Sequence, residues 1–154
     1  MKPKRVYIDT SVVGGCLDPE FRDASLELFE RFRAGTMIAV VSDLVRSELK
    51  RAPLPVHAVL AGVPQVGRED VVLTDEARRL ADCYLAAGVV GRSMRLDAQH
   101  VAAAVVHRVD VLASYDFKHM LNPLRGRGYN EVNLREGHPL LVIRTPAEVI
   151  AYGR

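Results

Sequence analysis

The sequence predicts an α/β protein in which a short, mainly parallel sheet is flanked by helices on both faces, as a sandwich of three layers. Short apolar segments alternate with helical segments along the whole chain, which is the pattern of consecutive β-α units. The apolar segments lack polar residues at every second position, as expected when helices cover both faces of a strand. The chain has 154 residues, of which 49% are apolar, so it can bury one core as a single domain.

The first part of the chain is predicted to contain two strands joined by a helix. Residues 5–8 form the first strand, and the glycine pair at 14–15 marks a turn after it. A helix over 23–34 has phenylalanine and leucine at helical spacing and ends at Gly35. Residues 37–41 form the second strand.

The middle of the chain is predicted to be helical with one irregular region. Ser42 is placed to cap a helix that follows the second strand. Residues 52–69 are rich in proline and glycine, and we expect only a short helix at 56–61 within them. Thr74 starts the next helix, which Gly88 ends.

The last part of the chain is predicted to alternate in the same way. Its elements are, in order, an alanine-rich helix from Asp97, a strand at 109–113, a short helix at 117–121, a strand at 140–143 and a final helix. The pair Asn122-Pro123 is interpreted as the end of the short helix. The final helix begins with a capping box at 145–148, with proline at the first helical position.

Four acids lie where predicted strands end or the following helices begin. Asp9 directly follows the first strand, and Asp116 follows the strand at 109–113. Asp97 heads the alanine-rich helix, and Glu48 lies in the helix after the second strand. Because ligands bind beyond the carboxyl ends of parallel strands, we expect these carboxylates to converge. Taken singly, Asp97 and Asp116 are also candidate helix caps, and Glu48 is a candidate for a solvated helix face.

Converging carboxylates raise one another's pKa unless a cation relieves the repulsion. Oxygen ligands suit Mg²⁺ or Mn²⁺ rather than zinc. One such ion, or a pair about 3.5–4 Å apart, is the usual means of activating water against a phosphodiester. We expect the hydroxyls of Thr10, Ser11 and Ser114 to support the ligands from behind.

The four acids in their local contexts resemble a PIN domain, and most closely the VapC-type toxins of bacterial and archaeal toxin–antitoxin pairs. The matching blocks are DTS with Asp9, SDLVRSEL with Glu48, LDAQHVAAAV with Asp97 and LASYDFKHMLNP with Asp116. They occur in the order and at the spacings of that family, and EVNLREGHPLLVIRTPAEV resembles the end of one PIN subgroup. The resemblance covers nearly the whole chain.

The resemblance implies a single PIN-like nuclease domain over residues 1–154 and endoribonuclease activity that depends on Mg²⁺ or Mn²⁺. Matched residue by residue, Asp9 and Asp97 would be the principal metal ligands. Glu48 and Asp116 would complete the acidic quartet, directly or through water, and the fourth position varies within the family.

The resemblance also implies partners, namely an RNA substrate, a small antitoxin of a type II pair and a second copy of the chain in a homodimer. The apolar segment 56–63 and the helix over 23–34 are candidate contact surfaces. Packing into the core is the favoured explanation for both segments.

Basic residues near the expected site are candidates for contacts with RNA phosphates. The candidates, with one histidine, are Arg92, Arg95, Lys118, His119, Arg125 and Arg127. A solvated surface charge is the alternative for each. His100 and His107 fall on one helix face, where packing or exposure is favoured over a general-acid role.

Other features narrow the class of protein. Cys16 and Cys83 form neither a zinc motif nor a disulfide framework, and we expect both to be reduced. No segment reaches the roughly 18 apolar residues of a membrane span. We therefore expect a cytoplasmic protein without membrane contact. The net charge of +2 neither requires nor opposes binding to nucleic acid.

Three alternatives come from other classes. A haloacid-dehalogenase-type phosphohydrolase needs a second acid two residues after the strand-end aspartate, and Ser11 stands there. Receiver domains need paired acids before their phosphoacceptor strand, and the order here does not fit. A catalytically silent PIN-fold module for binding or scaffolding is the main alternative, although it usually shows replaced acids.

Overall fold

The computed structural model of the protein describes residues 2–152, which form one parallel sheet between two layers of helices. The strands are β1 (Lys4–Ile8), β2 (Met37–Ser42), β3 (Arg68–Val71), β4 (Val111–Ala113) and β5 (Ile143–Arg144). Their order across the sheet is β3-β2-β1-β4-β5, and each neighbouring pair is parallel. The predicted α/β class and the parallel sheet are confirmed.

Helices cover both faces of this sheet. They are α1 (Thr10–Gly15), α2 (Arg22–Ala34), α3 (Asp43–Glu48), α4 (Leu54–Ala61), α5 (Asp75–Ala86), α6 (Arg95–Val106), α7 (Pro123–Arg135) and α8 (Pro146–Tyr152). Single turns of 3₁₀-helix occur at Leu49–Arg51, Gln65–Gly67 and Arg92–Met94. Helices α1, α2, α4 and α8 pack on one face, and α5, α6 and α7 pack on the other.

The two cores follow from the alternation of side chains along the central strands. In β1, Val6 and Ile8 point to the face of α2, whereas Tyr7 points to the face of α6. The alanine-rich sequence of α6 brings this helix close to the sheet and to α5. Most large apolar side chains of 23–34 and 56–63 are buried in the core, as favoured from the sequence, namely Leu28, Phe29, Phe32, Val56, Leu60 and Val63.

Local capping signals account for the helix ends that were predicted correctly. The Ser42 hydroxyl accepts a hydrogen bond from the Val45 amide at 3.3 Å and starts α3. Gly35 ends α2 with a φ of 73°, in the left-handed region that favours glycine. The capping box of α8 is closed in both directions between Thr145 and Glu148, at 3.0 and 3.3 Å.

The turn predicted at Gly14 and Gly15 is wrong, because both residues lie in helix α1. Asp9 caps this helix, and its carboxylate accepts a hydrogen bond from the Ser11 amide at 2.9 Å. The strand-end acid therefore starts a helix immediately, before the glycines are reached.

Strand β3 was missed, since residues 52–69 were predicted to be irregular apart from one helix. Its sequence, REDV, is mostly charged and lacks the apolar run of the other strands. It lies at the edge of the sheet, where only β2 pairs with it, so its side chains need not be apolar.

The region after β4 also differs from the prediction. Residues 117–121 form turns rather than a helix, and Asn122-Pro123 begins helix α7 instead of ending one. The Asn122 side chain accepts hydrogen bonds from the amides of Leu124 and Arg125 at 3.0 and 3.3 Å. Proline at the first helical position has no amide to satisfy, so this pair is a start signal.

Candidate metal centre

The four predicted acids come from four different elements and approach the same edge of the sheet. Asp9 directly follows β1, and Asp116 lies three residues after β4. Glu48 is the last residue of α3. Asp97 is the third residue of α6, where Met94 precedes the helix, so it is not a helix cap. Because α6 leads into β4, its first turn lies at the edge where the strands end.

Asp9 is a buried carboxylate surrounded by hydrogen-bond donors. It is only 6% exposed, and it accepts hydrogen bonds from the amide and the hydroxyl of Ser11. Its other oxygen accepts from the Ser114 hydroxyl at 2.6 Å. Burial raises the pKa of Asp9, and the donors from Ser11 and Ser114 oppose that rise. The buried charge of Asp9 is thus compensated by two hydroxyls and an amide.

A second part of the site brings Asp97, Asp116 and His119 together. One ligand atom from each of these three side chains lies within 4.8 Å of the others. The His119 Nδ1 atom is 3.4 Å from a carboxylate oxygen of Asp116 and 4.0 Å from one of Asp97. Burial raises the pKa of Asp97, and the negative charge of Asp116 raises it further. Two carboxylates therefore repel each other here, and a dication would relieve that repulsion.

Ser114 and Asp116 connect the two parts of the site. The Ser114 hydroxyl donates to Asp9 and accepts from the Asp116 amide at 3.0 Å. The Asp116 carboxylate accepts in turn from the His119 amide at 3.0 Å, which fixes the loop after β4. The charge of Asp9 also raises the pKa of Asp97, so the two parts act on each other electrostatically.

Glu48 lies outside the group of three and contacts a buried histidine instead. Its carboxylate is hydrogen-bonded to the Nε2 atom of His100, a residue that is only 3% exposed. The Nδ1 atom of His100 lies 2.6 Å from the Tyr7 hydroxyl. Burial raises the pKa of Tyr7, so this hydroxyl stays protonated.

Among the described residues, the basic partners of the acids of the site are histidines. Across residues 2–152, no lysine or arginine lies within 4.0 Å of the carboxylates of Asp9, Glu48, Asp97 or Asp116; only His100 and His119 do so. A group of acids without arginine or lysine partners favours the binding of cations from solution.

The donor set suits a hard divalent cation. Carboxylate oxygens from Asp97 and Asp116 suit Mg²⁺ and Mn²⁺, and the imidazole of His119 adds a nitrogen that Mn²⁺ accepts more readily. The buried Thr10 Oγ1 atom has no hydrogen-bond partner among the described residues. Of the three hydroxyls predicted to support the ligands, Ser11 and Ser114 bind Asp9, whereas Thr10 does not.

The predicted RNA contacts are spread over a wider surface. Arg92, Lys118 and Arg127 are exposed. Arg95 forms an ion pair with Asp82 at 2.6 Å, and Arg125 points its guanidinium at the Met94 sulfur, 3.1 Å away.

Sequence reasoning missed the contacts of two histidines. His119 was considered for substrate, but it lies among the carboxylates. His100 was grouped with His107, which caps the other end of α6 and contacts the Val72 carbonyl at 2.8 Å. The available signal was the D-x-x-H spacing, which puts His100 on the same helix face as Asp97.

Neither a family model nor a curated protein matches the chain. Among solved structures, the chain is similar to a chain of the crystal structure of VapBC2 from Rickettsia felis bound to a DNA fragment from their promoter. The TM-score is 0.57 at 10% sequence identity, over 92% of this chain and 98% of the other. At this identity the likeness shows the fold alone. The predicted three-layer α/β sandwich with a parallel sheet is confirmed, and it is consistent with a PIN-like fold. In the part of the chain that the structure describes, no helix is long and apolar enough to span a bilayer.

Proposed function

We propose that this protein is an endoribonuclease that depends on Mg²⁺ or Mn²⁺ and hydrolyses RNA phosphodiester bonds, as the toxin of a type II toxin–antitoxin pair. The observation that carries the proposal is the meeting of Asp97, Asp116 and His119 within 4.8 Å. Within residues 2–152 these carboxylates have no lysine or arginine partner, and His119 is the basic side chain beside them.

The acidic quartet would hold the cation. Asp97 and Asp116 contribute unneutralised carboxylates, and Asp9 and Glu48 complete the set. When bound, the cation would lower the pKa of water and neutralise negative charge on the phosphate. Ser11 and Ser114 hold Asp9 in one orientation, which keeps its carboxylate from turning away.

His119 is suited to contact the RNA as well as the cation. Its Nδ1 atom faces Asp97 and Asp116, which leaves Nε2 as the ring nitrogen available to a phosphate or a leaving oxygen. Exposed Arg92 and Lys118 would supply sequence-independent phosphate contacts.

The partners are proposed from two observations. The sequence resembles VapC-type toxins, and the similar solved structure is named as a VapBC2 complex on promoter DNA. We accordingly propose a small antitoxin that occludes the acidic edge, and a homodimer, for a toxin that acts in the cytoplasm.

The proposal is tested by incubating total RNA with the purified protein and mapping the new ends by sequencing. We expect discrete new ends in Mn²⁺ and none in EDTA. Asp97→Asn should lower cleavage by about 10³-fold, because a lost ligand removes several kcal/mol of stabilisation from the transition state. The matched control is Asp75→Asn, the same chemical change at an exposed carboxylate that pairs with Arg78.

Equal cleavage by wild type and Asp97→Asn would contradict the proposal. A catalytically silent binding module is the second candidate, and it predicts no new ends with either metal. It also predicts no thermal stabilisation by Mn²⁺, because nothing would bind the folded state.

A further inference from the structure

A buried chain of hydrogen bonds runs from the core to the acidic edge. The Tyr7 hydroxyl lies 2.7 Å from the Ser42 hydroxyl and 2.6 Å from the His100 Nδ1 atom. The His100 Nε2 atom bonds the Glu48 carboxylate. Ser42 and Tyr7 are fully buried, so these bonds do not compete with water.

The direction of each hydrogen bond follows from the donors and acceptors available. The ionised Glu48 carboxylate only accepts, so the proton of His100 lies on Nε2 and Nδ1 accepts from the Tyr7 hydroxyl. Tyr7 in turn accepts from Ser42, whose oxygen accepts from the Val45 amide. Every polar hydrogen in the chain then has an acceptor. If both ring nitrogens carried protons, the Ser42 proton would lack an acceptor among the described residues.

We infer that His100 is a positioning residue that holds the Glu48 carboxylate toward the Asp97 end of helix α6, in the orientation set by Tyr7 and Ser42. The inference rests on the proposed function, and it deepens it by assigning a role to residues that touch neither metal nor RNA. His100 is three residues after Asp97 on α6, so both project from one face of that helix. One rigid element therefore carries an acid of the quartet and the group that places a second one.

Helix α3 is too short to fix the Glu48 side chain by itself. It has only six residues, and Glu48 is its last residue, with a side chain that is 32% exposed. A glutamate side chain has three rotatable bonds, which water at this edge would leave free to turn. Ser42 fixes the first turn of α3 through Val45, and His100 fixes its last residue. The same chain of bonds thus anchors both ends of this helix.

Strand β1 connects the hydrogen bonds of Tyr7 and His100 to Asp9 at the acidic edge. Tyr7 lies two residues before Asp9, so the backbone that places Asp9 also places the hydroxyl that orients His100. Asp9, Glu48 and Asp97 are thereby held relative to one another by hydrogen bonds and by the backbone of β1 and α6. Hydrogen bonds behind metal ligands typically contribute about 10–100-fold to metal affinity.

The first test reads the hydrogen bonds in the metal-free protein by NMR of the imidazole nitrogens. We expect the protonated nitrogen of His100 to be Nε2. Glu48→Gln should shift its resonance, and Tyr7→Phe should shift that of Nδ1. Absence of either shift would overturn the inference, whether or not the protein cuts RNA.

The second test measures Mn²⁺ affinity by calorimetry. Because His100→Ala opens a cavity in the core and can unfold the protein, Tyr7→Phe carries the test. We expect it to weaken Mn²⁺ binding by about tenfold. The matched control is Tyr84→Phe, since Tyr84 is also fully buried and its hydroxyl bonds Asn133 away from the acids. Tyr7→Phe removes two buried hydrogen bonds and Tyr84→Phe removes one, so a merely structural role predicts a loss of stability in both variants and unchanged Mn²⁺ affinity in both.

A double-mutant cycle assigns the effect to Glu48. In the Glu48→Gln background, Tyr7→Phe should cost no further Mn²⁺ affinity, because the carboxylate it orients is gone. An undiminished tenfold loss in that background would overturn the inference. Failure of the proposed function has another signature, namely wild-type protein that neither binds Mn²⁺ nor cuts RNA, and it would overturn both.

Discussion

The two ends of strand β1 lie in opposite electrostatic environments. Near the amino end, the Arg5 guanidinium pairs with Glu69 and donates to the carbonyls of His107 and Arg108 at 2.8 and 3.1 Å. Past the carboxyl end, Asp9 is bound by serine hydroxyls and an amide. Both ends lie near α6, since Arg5 binds the carbonyls of the two residues that follow this helix and Asp9 acts on Asp97 in its first turn.

The amino end of β1 is suited to stabilise the fold, whereas the carboxyl end is suited to bind a ligand. At the Arg5 end, a cation meets the carbonyls that end a helix, which is favourable, and acid and base balance each other. At the other end, Asp97 and Asp116 repel each other and no arginine or lysine of residues 2–152 pairs with them. Negative charge without an arginine or lysine partner, at one end of a strand whose other end is ion-paired, indicates a candidate ligand-binding site.

The largest expected effect comes from removing one charge at the acidic end. Asp97→Asn should lower RNA cleavage by about 10³-fold, since metal ligation supplies several kcal/mol in the transition state. In EDTA at neutral pH, the same variant should be more stable than wild type, because the repulsion from Asp116 is relieved. Urea unfolding checks this second result, and a loss of stability would show that Asp97 is a structural acid.

The second effect is stabilisation by the cation. Mn²⁺ at about 100 times its Kd should raise the free energy of unfolding by about 2.7 kcal/mol, because it binds only the folded state. Thermal unfolding with and without Mn²⁺ measures the gain. Asp97→Asn should lose most of it, and an equal gain in this variant would place the bound ion elsewhere.

The third effect concerns the balanced end. Arg5→Met should lower the free energy of unfolding by about 2 kcal/mol, since the part-buried His107 carbonyl, the exposed Arg108 carbonyl and Glu69 lose a charged donor. Cleavage well below the unfolding temperature should be unchanged. The control is Arg33→Met, whose exposed pair with Glu30 on α2 is expected to contribute under about 1 kcal/mol. Loss of RNA cleavage by a folded Arg5→Met protein would contradict the claim that the amino end of β1 contributes to stability alone.

The smallest effect is a dependence of stability on pH. Burial and the charge of Asp116 raise the pKa of Asp97 above its ordinary value of 3.8. Between the pKa of Asp97 in the unfolded chain and its higher pKa in the folded protein, the folded protein therefore binds more protons than the unfolded chain. The stability of the metal-free protein therefore falls as the pH rises through that window. Urea unfolding from about pH 4 to 7 should show a smaller fall in Asp97→Asn than in wild type. Parallel curves for the two proteins would exclude a raised pKa at Asp97.

The parts of the fold that were predicted correctly depend on local signals. Apolar runs identified β1 and β2, and hydroxyl caps at Ser42 and Thr145 identified the starts of α3 and α8. The parts that were missed depend on tertiary context. Asn122-Pro123 fits the end of one helix or the start of another, and only the following helix decides between them. Strand β3 is charged because it lies at an edge of the sheet, which its own sequence does not reveal.

The candidate site was predictable in its acids and not in its histidines. The positions of Asp9 and Asp116 after apolar strands predicted their approach, because parallel strands end at one edge. The contact of His100 with Glu48 joins residues 52 positions apart through the packing of α6 on the sheet. The position of His119 depends on the turns after Asp116, which were predicted to be a helix.

The most direct test of a cation site at the acidic end is anomalous X-ray scattering from crystals grown in Mn²⁺. We predict a manganese peak within ligand distance of Asp97 and Asp116, with Asp9 and Glu48 around it, and loss of that peak in Asp97→Asn. A structure in Mn²⁺ with no peak there, or with the ion bound away from these carboxylates, would contradict the account.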